Sequence, residues 1–355
     1  MLQYILHRVL YSLLTLLGVV TLIFFLFNAG MGDPTQMKMG QRSNSASALQ
    51  IQKDLGLDQP LMIRYFAYLN DLLPVSLHST QPDNAFFYDE QKYSGWVARA
   101  GGIAIALKAP YLRRSYQSEK RVSTAIAQVF PNTLILATSA IAFASLVGVL
   151  LGIAAALLKN TWWDKSILTL STLGMSVPSF FAALLIGWVF AVLLGRYTHL
   201  DLTGNLWELD DYGESLHLQI KNLILPAFTL GIRPLSVIAQ LARASLLDAL
   251  SQDYIRTARA KGLSFGKALQ KHALRNALNP VVTAVSGWFA SMLAGVIFVE
   301  YIFGYKGLGF LMVDALNMLD MPVVMGCVMV IAIAFVVVNL LADLCYALLD
   351  PRIKL

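Results

Sequence analysis

Charge is the scarcest component of this 355-residue sequence. Only 14% of its residues are charged and 57% are hydrophobic, which gives a mean hydropathy of +0.62. A typical soluble domain has about 25% charged residues, so this composition argues against a water-soluble enzyme. Glycine and proline, at 24 and 12 residues, are too few for a collagen-like or disordered chain. The composition predicts an all-α protein that crosses a membrane several times.

Cysteine is almost missing, and no metal-binding pattern is visible. Cys327 and Cys345 would lie about 27 Å apart on one helix, which is too far for a disulfide bond. The five histidines form no pair at helical spacing, so we expect no metal site. We also find no Ser, His and Asp arrangement to which a catalytic role could be assigned.

Six apolar segments are long enough to cross a hydrocarbon core about 30 Å thick. We expect the first to be retained as a span, because its apolar run exceeds that of a signal peptide. The fourth is interrupted by Pro226, Arg233 and Pro234, which predicts a broken helix that could line a pathway. The six segments are residues 9–28, 133–158, 167–194, 222–247, 281–303 and 322–349.

The basic residues predict which side of the membrane each connection occupies. With the N-terminus inside, the cytoplasmic pieces contain twelve Lys and Arg residues, and the short external loops contain only Arg196, Lys221 and Lys306. Lys and Arg concentrate in cytoplasmic loops, so both termini are predicted to be cytoplasmic. The net charge of +6 therefore indicates topology, and we expect no nucleic-acid partner.

The cytoplasmic connection over residues 248–279 has a distinctive pattern. A first short helix is predicted to end at Gly262, which tolerates the left-handed conformation of a C-terminal cap. Ser264 is predicted to cap a second helix that Pro280 closes. Seven basic residues lie between Arg243 and Arg275, so the pair of helices could be a docking element or an ordinary basic loop.

Several motifs along the chain resemble one family in their order. The string Arg256-Thr-Ala258 followed by Gly262 resembles the EAA loop of ABC-importer permeases, although Arg256 and Thr257 depart from the residues that name it. The longer string from Asp253 to Gly262, with His272-Ala-Leu-Arg-Asn-Ala277 after it, resembles the dipeptide, oligopeptide and nickel permeases. Further agreement comes from Gly32-Asp-Pro34, Leu55-Gly-Leu-Asp-Gln-Pro60, Pro131-Asn-Thr133, Gly307-Leu-Gly309, Asp320-Met-Pro322 and Asp350-Pro-Arg352.

The resemblance implies a type I ABC importer permease in a bacterial inner membrane. It implies four kinds of partner: a homologous second permease, two ATPase subunits, an external solute-binding protein and membrane lipid. It also implies that ATP and magnesium bind to the ATPases and that this chain has no cofactor. By the same resemblance, the residues that couple to the ATPases are Tyr254, Thr257, Ala258, Gly262 and His272.

The chain's own sequence offers no phosphate-binding loop of the ATPase type. The nearest match begins at Gly262 and continues through Gly266 and Lys267 to Ala268. It has three residues between its glycines where four are needed, and alanine where a hydroxyl must hold magnesium. We therefore expect ATP hydrolysis on another protein.

Three ionisable residues lie within or near the predicted spans. A charge there costs several kcal/mol unless it is paired with an opposite charge or hydrated. We favour structural pairing for Arg233, Glu300 and Asp343. Arg233 could alternatively contact the carboxylate of a peptide substrate. Glu300 is expected near the external interface. Asp343 is expected to pair with a basic residue of the EAA-like segment or of a loop.

Four parts of the chain are predicted: an N-terminal span (1–30), a large external loop (31–121), a five-helix transmembrane domain (122–346) and a cytoplasmic tail (347–355). Residues 76–108 of the loop are interpreted as an insertion relative to the family. Its aromatic residues could bind an external solute-binding protein or pack within a small subdomain. They are Phe86, Phe87, Tyr88, Tyr93 and Trp96.

Two other classes of function remain open on the span count alone. Six spans would also suit a self-contained secondary transporter or channel, although we find no inverted repeat. A membrane-anchored sensor would need a cytoplasmic signalling domain, and the predicted tail leaves no room for one. The EAA-like string favours the importer. The sequence does not indicate which solute is transported.

Overall fold

The computed structural model describes residues 2–29, 59–81, 84–90, 92–209 and 215–349. The predictions for residues 32–34, for most of 55–60 and for the tail from residue 350 lie outside these ranges. Within them, the helices in chain order are α1 (Leu2–Ala29), α2 (Leu61–Leu72), α3 (Val122–Leu157), α4 (Trp162–Ser176), α5 (Ser179–Gly187), α6 (Gly195–Thr198), α7 (Lys221–Ser251), α8 (Asp253–Ala260), α9 (Phe265–Ala268), α10 (Leu274–Ala277), α11 (Asn279–Ile302), α12 (Leu308–Asn317) and α13 (Met321–Leu349).

The predicted helical membrane fold is confirmed. Among the described residues, five helices (α1, α3, α7, α11 and α13) are long and apolar enough to cross a membrane, and one bent pair can supply a sixth span. Two π-helical turns extend the helical segments, Trp188–Leu193 after α5 and Leu269–Ala273 between α9 and α10.

The predicted third span is not one straight helix. Its two halves, α4 and α5, meet at an angle of 110°. The break falls at Val177, which is extended at φ −81° and ψ 126°, and Pro178 follows it. Proline disfavours helical geometry in the residue before it, and the sequence analysis overlooked this proline.

The predicted break in the fourth span is wrong. Helix α7 continues without interruption through Pro226 and Pro234. Both prolines are buried, so packing on neighbouring helices holds the helical path against the hydrogen bond that each proline removes.

Two small antiparallel sheets accompany the helices. Strands β1 (Val75–Ser79), β2 (Gly95–Ala100) and β3 (Ile103–Lys108) form the first sheet, with β3 in the centre. Strands β4 (Trp207–Leu209) and β5 (Leu216–Leu218) form the second. The sequence analysis predicted neither sheet.

The chain divides into two compact units. The first comprises residues 1–8, 129–310 and 333–355, and the second comprises 9–128 and 311–332. The main core of the first unit joins residues of α3, α5, α7 and α11, among them Leu136, Ala183, Leu230 and Val296. The core of the second unit joins Phe24 of α1, Tyr68 of α2 and Met325 of α13.

Candidate functional site

Helix α8 and the turn that ends it form the first half of the EAA-like segment. Gly262 has φ +88°, a conformation that glycine adopts at little cost. Its N–H donates to the Arg259 carbonyl, and the Leu263 N–H donates to the Ala258 carbonyl. These two bonds form a Schellman cap, as the sequence predicted for Gly262, and they fix the direction in which the chain leaves α8.

The predicted coupling residues of α8 fall on two different sides of the helix. Tyr254, Thr257 and Gly262 are exposed, and the Thr257 hydroxyl donates to the Asp253 carbonyl. Ala258 is buried, and its methyl group packs inside the chain. Helical periodicity places this predicted docking position beside buried Ile255, three residues earlier.

The second half of the segment is nearly continuous helix from α9 to α11. Ser264 occupies the N-cap position, but its side chain makes no capping hydrogen bond, so the predicted side-chain cap is wrong. His272 is half-buried in the π-helical turn. Pro280 stands in the first turn of α11, where its missing N–H costs little. It was predicted to close the second helix, but it lies at the beginning of α11.

A shallow depression lies at the turn between the two halves. Its volume is about 580 Å³. Two guanidinium groups, an exposed aromatic ring and the backbone of the glycine turn border it, which suits an acidic and partly apolar partner surface. The lining residues are Arg256, Arg259, Gly262, Leu263, Ser264 and Phe265.

An apolar cluster lies beneath this surface and connects it to the transmembrane helices. Ile255 of α8 and Ala273 and Ala277 of the second half pack with Leu246 of α7 and Ala156 of α3. Because protein interiors are close-packed, a displacement of α8 would be passed to the ends of α3 and α7.

A buried ion pair adds a second connection near these helix ends. The Arg243 guanidinium of α7 donates to both carboxylate oxygens of Asp164 in α4, at 2.6 and 2.7 Å. Asp164 is buried and also accepts from the Asn160 N–H, while its own N–H donates to Thr161. The sequence analysis missed both partners, although Thr161 followed three residues later by an acid is a recognisable capping pattern.

Glu300 lies two residues before the end of α11. Its side chain is fully buried, and within the described residues no basic group contacts it. The carboxylate accepts from the Thr133 hydroxyl at 2.7 Å and from the N–H groups of Gly309 and Phe310 at 2.6 and 3.2 Å. It therefore fixes the first turn of α12 to α3, about three turns from the start of α3, through hydrogen bonds and not through an ion pair.

The other two predicted ionisable residues differ from each other. Asp343 lies 3.1 Å from Arg8, so its partner is near the N-terminus and not in the EAA-like segment. Arg233 is exposed on α7, whose faces are otherwise largely covered. Within the residues that the structure describes, Arg233 has no ion pair, so the structural pairing expected for it is absent there.

Two family models match the chain. One describes the binding-protein-dependent transport system inner membrane component and matches residues 148–355. The other describes the N-terminal part of such membrane components and matches residues 1–82. Most of the segment 76–108 lies between the two matches.

Individual relatives match along the whole chain. A putative peptide permease of Brucella suis is 35% identical over 100% of this chain and 99% of its own length. A glutathione transport system permease, GsiC, of Salmonella typhimurium is 34% identical over the same shares. A crystal structure of an amino acid ABC transporter is similar over 65% of this chain and 95% of its own, with 18% identity and a TM-score of 0.46.

Proposed function

The chain belongs to the family of binding-protein-dependent transport system inner membrane components, and from that premise we propose how its surfaces serve transport. It is a permease subunit of a binding-protein-dependent ABC importer and not an enzyme. Family membership decides against a self-contained transporter, a channel or a sensor. The solute, the partners and the residues that act are our proposals.

The proposed solute is a peptide or a related small molecule. The relatives that match the whole chain are named for peptides and for glutathione, itself a peptide. Arg233 suits the same class, because a guanidinium binds a carboxylate such as that of a peptide. An exposed guanidinium in the middle of a span is also costly against lipid. We propose that the Arg233 side chain faces either the solute path or the second permease, where water or a carboxylate can solvate its guanidinium.

The proposed energy source is a pair of ATPase subunits that bind the EAA-like segment. Tyr254, Thr257 and Gly262 would make the contact, together with the basic depression. Ala258 and half-buried His272 would support it from within. The single observation that carries this proposal is the exposed turn at Gly262 backed by an apolar cluster that reaches α3 and α7.

The proposed assembly contains this chain, a homologous permease, two ATPases and an external solute-binding protein, in a bacterial inner membrane. ATP and magnesium would bind only to the ATPases. Both termini are proposed to be cytoplasmic. The ion pair between Arg8 and Asp343 supports a common side for the two ends, because these residues are close to the start of α1 and the end of α13.

The test is co-purification of the tagged chain with its partners in mild detergent, followed by ATP hydrolysis and solute uptake in proteoliposomes. Arg259→Glu reverses a charge in the depression, and Lys271→Glu makes the same change at an exposed position outside it. We expect Arg259→Glu to lower the ATPase yield and uptake several-fold and Lys271→Glu to leave both near wild type.

Gly262→Val provides a second variant, because a β-branched residue is strained at φ +88°. We expect weaker ATPase capture while the second permease still co-purifies. If both variants retain wild-type capture and uptake, the coupling role of this segment is wrong. If the wild-type chain transports in liposomes without an ATPase, the proposed energy source is wrong.

A further inference from the structure

The sheet of β1, β3 and β2 has two chemically opposite faces. The register aligns Val75 with Leu107 and Trp96, Leu77 with Ile105 and Ala98, and Ser79 with Ile103 and Ala100. Directly paired residues share a face in an antiparallel sheet, so these nine residues form one side. This side, named the apolar face, contains no charged residue.

The opposite side is covered by the chain's own residues. Ala104 and Ala106 are fully buried there against Tyr88 and Tyr93. The charged residues of the strands point to this side as well: Arg99 pairs with Glu90 at 2.5 Å, and Lys108 donates to the Asp71 carbonyl at 2.6 Å. Burial lowers the pKa of Lys108. The aromatic residues Tyr88 and Tyr93 thus pack inside the subdomain.

Among the residues that the structure describes, none covers the apolar face in this way. Its six large side chains are 47–67% exposed. Contiguous apolar surface of this kind is unusual on a protein that meets only water and marks a site of interaction. The six are Val75, Leu77, Trp96, Ile103, Ile105 and Leu107.

The sheet is attached to a helix that lies against the end of a membrane span. Tyr65 of α2 is hydrogen-bonded to Thr21 of α1 at 2.6 Å, and Tyr68 packs on Phe24 with ring centroids 5.5 Å apart. The apolar stretch of α1 ends at Phe27, so Thr21 is about 9 Å inside that end. These contacts place α2 beside the last two turns of the apolar stretch of α1.

The rest of α2 also has exposed apolar side chains, and a short link joins this helix to β1. Met62 and Phe66 of α2 are exposed, which gives this helix an outward apolar side of the interfacial type. Only two residues separate α2 from β1, a reach of about 11 Å. The Asn70 side chain bonds both the N–H and the carbonyl of Leu77, so the sheet is fixed to α2.

We propose that the apolar face of this sheet lies on the outer leaflet of the membrane, with its six large side chains among lipid headgroups and upper acyl chains. Lipid suits this surface better than a protein partner that binds only transiently, because dissociation of such a partner would leave six apolar side chains in water. Trp96 at the edge of the face is the residue type enriched at membrane interfaces. The proposal goes beyond the proposed transport function. It depends on that function only for the orientation of the chain, which decides the leaflet on which the sheet lies.

The test places a nitroxide spin label at single cysteines in the full transporter, reconstituted in lipid nanodiscs. Ile105→Cys and Leu77→Cys report on the apolar face, and Gln81→Cys, exposed just after β1, is the matched control. Cys327 and Cys345 are replaced by alanine. Dissolved oxygen concentrates in acyl chains, whereas a charged-ligand nickel complex stays in water, so their collision rates with the label distinguish the two solvents.

We expect the ratio of oxygen to nickel collisions to be several-fold higher at residues 77 and 105 than at residue 81. A ratio at both positions equal to that at residue 81 would show a water-exposed face and overturn the proposal. Low collision rates with both reagents would show a protein partner on the face and overturn it equally. These outcomes do not depend on ATP hydrolysis or uptake, so they are independent of the proposed transport function.

Discussion

Two buried carboxylates hold turns of this chain to neighbouring helices, and they use different partners. Glu300 near the end of α11 accepts hydrogen bonds from a hydroxyl and two backbone N–H groups. Asp164 near the start of α4 accepts two hydrogen bonds from the Arg243 guanidinium. The Arg243 side chain is 20% exposed. Full burial therefore favours fixed dipoles as partners, whereas a site near water can accommodate a cation that stays partly hydrated.

The largest expected effect is from Glu300→Ala, because it leaves the Thr133 hydroxyl, the buried Gly309 N–H and the partly buried Phe310 N–H without an acceptor. We expect a loss of about 4 kcal/mol in stability. The measurement is the thermal unfolding midpoint of the complex in nanodiscs. Glu300→Gln keeps one acceptor oxygen but turns an amide N–H₂ towards N–H donors, so an intermediate loss is expected. A midpoint for Glu300→Ala near wild type would refute the importance of this junction.

Gly309→Ala tests the space around the same carboxylate. An added Cβ would lie 2.4 Å from the Ile297 Cα and 3.0 Å from a Glu300 oxygen. Backbone atoms cannot give way, so we expect a loss of about 2 kcal/mol. Gly295→Ala in α11 has nothing within 4 Å of its new Cβ and serves as the matched control. Equal midpoints for the two variants would contradict the close packing seen at Gly309.

The Asp164 junction is expected to contribute less. A double-mutant cycle with Asp164→Asn and Arg243→Gln should give a coupling of about 1–2 kcal/mol, because Arg243 reaches water when its partner is lost. The coupling comes from the unfolding midpoints of the two single variants and the double variant. Coupling as large as the loss in Glu300→Ala would remove the contrast between the two junctions.

The smallest effect is expected at the Arg8 and Asp343 pair, whose side chains are 47% and 19% exposed. Arg8→Gln should cost about 0.5 kcal/mol. Because ions screen exposed charges, the difference from wild type should shrink as salt is added. A difference that persists in high salt would indicate a more deeply buried interaction.

The long helices were predictable because their signal is local. Twenty apolar residues in a row can satisfy their backbone only as a helix in lipid, and five such helices occur where the apolar segments lie. The cap at Gly262 was equally predictable, since one residue's conformational freedom decides it. The two β-sheets were missed because strands of three to six residues give a weak signal between long apolar helices.

The proline positions show where local rules stop. Pro178 bends its segment by 110°, whereas Pro226 and Pro234 leave α7 unbroken. The rule against helical geometry before proline is the same at all three. Much of α4 and α5 is exposed, while α7 is mostly buried between neighbours, so packing overrides the rule only in α7.

By itself the sequence determined that this protein crosses a membrane, that its family resemblance is to importer permeases and that its EAA-like segment turns at a glycine. Each of these properties depends on composition or on residues close together in the chain. The tertiary structure alone decided that Glu300 meets Thr133, that Asp164 meets Arg243, that Arg233 stays exposed and that Ala258 is buried. Those pairs are 167 and 79 residues apart, and only the packing of helices can bring them together.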